Sequence, residues 1–104
     1  MSSQPPHTTF ALNLWRQVSH GRTTAREAVE TFCISAKDLP QQIETMPDDM
    51  LDALEAYVSS QLNEGLEISG LEAHAYNFDP ETACKAKRQR LNQIQIAIRE
   101  RRSR

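Results

Sequence analysis

Between Glu81 and Arg102 the chain has neither Gly nor Pro, and it enters this stretch through Asp79-Pro80. Asp79 can accept from an unpaired amide of a first helical turn, and Pro80 at the first helical position gives up no needed donor. Glu81 then lies at the positive end of the helix dipole and Arg99, Arg101 and Arg102 at the negative end. Ala, Lys, Arg, Gln and Leu dominate, and Cys84, Leu91, Ile94 and Ile98 return on one side at helical spacing. Two residues complicate this helix. Lys87 interrupts its apolar side, and Ile96 points to the opposite one. Ile94, Ile96 and Ile98 also alternate with Gln93, Gln95 and Ala97, a strand pattern, so the alternative is an α+β fold with a short C-terminal strand at residues 92–99. If the helix runs through, Ile96 needs a second covering surface. Leu91, Ile94, Ile96 and Ile98 are therefore the expected interface residues of a homodimer.

The same region carries most of the positive charge. Residues 85–104 hold eight of the twelve Lys and Arg and one acid, Glu100, whereas residues 45–84 hold nine acids and no Lys or Arg. A net charge of −2 thus hides an acidic middle followed by a basic tail. Segregation of this kind points to partners rather than to fold. One reading is a surface for an anionic partner, either DNA or an acidic protein surface, with residues 99–104 protruding. The other is a helix whose cations lie along the chain's own acidic helices.

The preceding residues read as short helices. Residues 1–8, with Pro5-Pro6, form a polar, disordered lead. Thr9 caps a helix from Phe10 to about Ser19, closed by His20-Gly21. Thr24 and Glu27 form a capping box that opens a second helix to about Ile34. Asp38-Leu39-Pro40 starts a short third helix, with Leu39, Ile43 and Met46 inward. Pro47, as first residue, starts a fourth that runs to about Asn63 and ends at Gly65, with Met50, Leu51, Leu54, Tyr57, Val58 and Leu62 as its stripe. Residues 66–78 read as irregular with one helical turn. The organisation expected is a lead at 1–8, an acidic helical core at 9–78 and a basic C-terminal helix at 79–104. Together they make one all-α domain, a small orthogonal helical bundle of four to five helices.

Residues 24–46 also fit a helix-turn-helix, with Val29 and Phe32 on the first helix and Leu39 and Ile43 on the second. Arg22, Arg26 and Lys37 would then supply positive charge, and Gln41 and Gln42 would face a major groove. Against it stand Cys33 at the turn, Pro40 inside the second helix if Ser35 is its cap, and Asp38 and Glu44 facing phosphates. On the C-terminal helix Lys85, Lys87, Arg88, Arg90, Arg99, Arg101 and Arg102 would grip the anionic partner.

Motifs of catalysis are missing. There is no GxSxG, HExxH, P-loop or dinucleotide fingerprint, and only Gly21, Gly65 and Gly70 are glycines. His74, near Glu72 and Asp79, reads as a loop residue. Cys33 and Cys84 are isolated from each other and not at ligand spacing to His7, His20 or His74, so no metal or cofactor is expected. No apolar run approaches the ~20 residues of a membrane span, and no secretory signal is visible, which gives a cytoplasmic expectation. The expected function is a small non-enzymatic regulator without a small-molecule substrate, binding DNA through its basic C-terminal helix and residues 24–46. The alternative is a protein-interaction module, an adaptor, inhibitor or antitoxin-like partner, acting through its acidic helical face.

Overall fold

The computed structural model describes residues 10–68, 70 and 79–103. Among the described residues five helices are defined: α1 Phe10–Ser19, α2 Ala25–Ser35, α3 Leu39–Glu44, α4 Asp48–Glu64 and α5 Pro80–Arg102. No strand occurs among the described residues. Residues 92–99 are helical throughout, so the strand alternative is not realised. The expected cap Thr9, the lead at 1–8 and most of 66–78 lie outside the described residues.

Local chemistry accounts for the boundaries. The amide of Ala11 donates to Gln42 Oε1 at 3.2 Å, so one of the unpaired donors of α1 is satisfied from α3. The other end of α1 closes in a Schellman motif. Arg22 N bonds Gln17 O and Gly21 N bonds Val18 O, with Gly21 at φ +72°. A side chain at Gly21 would meet nothing within 4 Å, so the left-handed backbone, not space, calls for glycine. The capping box is present in full: Thr24 Oγ1 accepts from Glu27 N at 3.1 Å, and Glu27 Oε1 accepts from Thr24 N at 3.3 Å. Asp38 precedes α3 in the left-handed region at φ +54° without a side-chain cap. Pro47 occupies the cap of α4 rather than its first helical position, its carbonyl accepting from Leu51 N. Asp79 caps α5, accepting from Thr82 N at 2.9 Å, with Pro80 as the first residue.

The core is one cluster to which every helix contributes. Phe32 of α2, Ile43 of α3, Met50 and Leu54 of α4, and Leu91 and Ile94 of α5 are all buried in it. Helix α5 packs on α4, α3 and α2, and α1 closes the far side against α2 and α3. Contacts pair 101 with 48, 102 with 52 and 87 with 61, so α5 runs antiparallel to α4. Each helix therefore brings its charge-complemented end to the oppositely polarised end of the other. Leu91, Ile94 and Ile98 are fully committed to this core. Of the four residues expected at an interface, only Ile96, 54% exposed, remains outside. The reason is the 3.6-residue period: positions 91, 94 and 98 share the inward side, while 96 is turned away from 94 and 98 alike.

Two tests follow from the caps. Gly21→Ala forces a Cβ into the left-handed region and is expected to lower unfolding stability by about 1 kcal/mol in urea titrations. The hydrogen bonds from Thr24 hold the Glu27 carboxyl below its ordinary value of 4.5, and those from Thr82 hold Asp79 below its ordinary 3.8. A carboxyl depressed in the folded state stabilises fully above its unfolded value and loses that contribution as pH falls through the folded one. The urea midpoint is therefore expected to decline below about pH 4.5, and less steeply in Glu27→Gln/Asp79→Asn, which keeps both hydrogen-bonding patterns but removes the titration.

Candidate partner-binding surface

The cations of α5 divide into two groups. Lys87, Arg90 and Arg101 recur with Ile94 and Ala97 at intervals of three and four, on the side that meets the core. Lys87 is 1% exposed. Its Nζ donates to Gln61 Oε1 at 2.9 Å and to the carbonyl of Glu67, and lies 5.5 Å from the centre of the Tyr57 ring. Gln61 Oε1 also accepts from Glu67 N at 3.0 Å, so Lys87 and Gln61 together fasten the chain that leaves α4. Arg90 donates from Nε to Cys33 O at 2.7 Å and from Nη2 to Ala36 O, closing the C-terminal end of α2. Arg101 does the same for α3. Its Nη1 donates to Ile43 O at 2.7 Å and Met46 O at 2.6 Å, while Nη2 pairs with Asp48 Oδ1 at 2.7 Å. Carbonyls at helix C-termini lack intrahelical donors, and a guanidinium with a forked set of N–H groups suits two of them at once.

Arg102 adds a more exposed tie, to Asp52 at 2.8 Å and Glu55 at 2.9 Å, and the bond to Asp52 holds its guanidinium further into the charged form. The expectation that residues 99–104 protrude is therefore corrected at Arg101 and Arg102, which lie on the carboxylates of α4. Arg104 falls outside the described residues. These contacts also engage Asp48, Asp52 and Glu55, three of the five acids of α4, while Asp49 and Glu64 stay exposed.

The second group faces away. Lys85, Arg88 and Arg99 are exposed with Asn92 and Ile96 along the outer side of α5. Lys85 pairs with Glu81 at 3.6 Å, one helical turn away. Arg88 and Arg99 make no ion pair or hydrogen bond with the described residues. Arg99 lines a shallow recess with Glu55, Val58, Ser59 and Gln95. On the other flank of Ile96 a cleft of ≈ 420 Å³ opens between α3 and α5. Leu39, Pro40, Ala97 and Ile96 itself give it apolar walls, and Asp38, Arg90, Gln93 and Glu100 stand around them.

The candidate residues outside α5 are scattered. Arg22, Lys37 and Gln41 are exposed. Gln42 is half-buried and spends its side-chain oxygen on Ala11. Arg26 lies over the Tyr57 ring at 5.5 Å and pairs loosely with Glu67 at 3.7 Å. The two helices of the proposed helix-turn-helix exist and are joined by residues 36–38, but α3 spans only six residues. Cys33 is a buried cysteine and Cys84 a half-buried one, and His20 is exposed. His74 falls outside the described residues. No cluster of His, Cys, Asp and Glu fit for a metal is assembled among the described residues. No helix there is long and apolar enough to cross a membrane.

Gln61, Asp48 and Asp52 are functional in this architecture but were not among the residues singled out as a site. Gln61 carried a signal, since it follows Tyr57 and Val58 by four and three residues and so falls on the apolar side of α4. Comparison with models of known protein families, with curated proteins and with solved structures finds no match.

Lys87→Met keeps most of the buried bulk but leaves the Glu67 carbonyl without its donor. It is expected to lower stability by about 2 kcal/mol in urea unfolding, whereas Lys85→Met on the outer side leaves the midpoint unchanged.

Proposed function

We propose that this chain is a small non-enzymatic binding module that engages a protein through the outer side of α5, with Ile96 as its apolar anchor. The observation that carries this reading is the exposure of Ile96, 54%, in the C-terminal half of α5 and on the wall of an open, largely apolar cleft. An isolated apolar side chain on a surface is ordinary; one set against a preformed recess and flanked by polar residues has the layout of an interface centre and rim. Lys85, Arg88, Asn92 and Arg99 form that rim and orient the partner.

Two rival readings draw less support. For DNA, affinity comes chiefly from cations free to meet phosphates. Lys87, Arg90, Arg101 and Arg102 are all engaged within the molecule, Gln42 is engaged on α1, and the would-be recognition helix has fewer than two turns. An interface on the acidic side of α4 would have to compete with Arg101 and Arg102 for Asp48, Asp52 and Glu55.

Capture from nuclease-treated native extract, with wild-type and Ile96→Glu proteins as baits, is expected to yield protein bound by the first and lost from the second. A random DNA duplex at low salt is expected to show no mobility shift. A shift that fades with salt and disappears in Arg88→Glu/Arg99→Glu would instead favour the nucleic-acid reading.

A further inference from the structure

The cleft and the side chain beside it suit each other. Ile96 projects from α5 and itself forms one wall of a cleft whose other apolar walls are Leu39, Pro40 and Ala97, with room for a branched aliphatic side chain. One wall of the cleft is held in place, because Arg90 beneath it is fixed on the carbonyls of Cys33 and Ala36. Knob and hole thus stand side by side on one surface. The charges on this part of the surface are of both signs. Asp38 and Glu100 border the cleft, and Arg88 lies further back along the same side of α5. A uniformly acidic partner would meet Asp38 and Glu100, and a uniformly basic one would meet Arg88. A body that offers an aliphatic knob, an apolar hole and both charges in the complementary order satisfies the whole surface.

We propose that this body is a second copy of the chain, docked antiparallel along α5 so that each Ile96 enters the other's cleft. The proposal rests on reading the outer side of α5 as a protein interface and names its occupant. A twofold axis makes every contact occur twice, which suits a surface that carries both halves of each contact. With helices antiparallel and Ile96 near the axis, Glu100 of one copy comes beside Asn92 of the other. Arg88 of that copy lies one further turn along, about 5.4 Å, within reach of its long side chain. Two Glu100–Arg88 pairs would flank the two buried isoleucines. Helix α5, 23 residues long, offers a face of roughly 34 Å, enough for an interface of modest size.

Sedimentation velocity and light scattering on the full chain test this. A particle of twice the 11.8 kDa chain mass is expected at concentrations on the order of 100 µM. Ile96→Glu is expected to give monomer with unchanged helicity. Arg88→Glu and Glu100→Arg are each expected to weaken association by about tenfold through like-charge contacts, and Arg88→Glu/Glu100→Arg to restore it. Arg88 and Glu100 are exposed, so these changes spare the fold. A monomer throughout that range, a dimer indifferent to Ile96→Glu, or a double variant no better than the singles would overturn the proposal. If the chain is monomeric yet still captures protein through Ile96, the binding-module reading stands and only the second copy is excluded. If Ile96→Glu alters neither association nor capture, both fail.

Discussion

Cations from one helix holding the main-chain carbonyls of the others are what the rest of this fold depends on. Helices α2 and α3 are short, and the carbonyls at their ends gain donors from α5 beyond those that the turns themselves supply. Arg90 covers the end of α2 and Arg101 the end of α3. Lys87, with Gln61, fixes the chain beyond α4. A buried carbonyl left without a donor costs about 1–3 kcal/mol, a large share of the margin by which a domain of this size is stable. Apolar burial brings the helices together, and the three cations set where each one stops relative to α5.

This gives the charge partition a physical meaning different from the one it suggests at first sight. The acidic middle and the basic tail meet within one molecule, as α4 and α5 run antiparallel and Arg101 and Arg102 reach Asp48, Asp52 and Glu55. The exposed pairs among them contribute little individually. What they do is bias α5 to lie along α4 in one register, since a shift by one turn would place Arg101 away from the end of α3. The residues left over on the outer side of α5 are fewer and more mixed than a count of Lys and Arg implies, and that is where the proposed binding surface lies.

The helices themselves were legible in the sequence, and for nameable reasons. Thr24 with Glu27, Asp79 with Pro80, and Gly21 act within a few residues of where they stand, and each does in the structure what its chemistry requires. The outward aim of Ile96 followed from periodicity alone. The fate of the cations did not. Arg90 meets Cys33 and Arg101 meets Ile43, more than fifty residues away, and no local pattern says which distant carbonyl lacks a donor. A partial signal existed in the recurrence of 87, 90, 94, 97 and 101 at intervals of three and four, which marks those cations as inward. The sequence marks Lys87 as an interruption of the apolar side, yet Lys87, Arg90 and Arg101 alike read as partner-facing charges, because cationic side chains so seldom face a core. That reading widens the expected partner surface, and Leu91, Ile94 and Ile98, expected at an interface, are buried in the chain's own core.

Urea unfolding of Arg90→Met beside Arg88→Met tests this account most directly. The two positions are neighbours on α5 and lose the same charge, but only Arg90 holds carbonyls, those of Cys33 and Ala36. Arg90→Met is expected to lose about 2–3 kcal/mol, with the amides at the end of α2 exchanging faster with solvent, and Arg88→Met to keep the wild-type midpoint. Equal and small effects at both positions would show that the inward cations are not what holds the helix ends, and the account would be wrong.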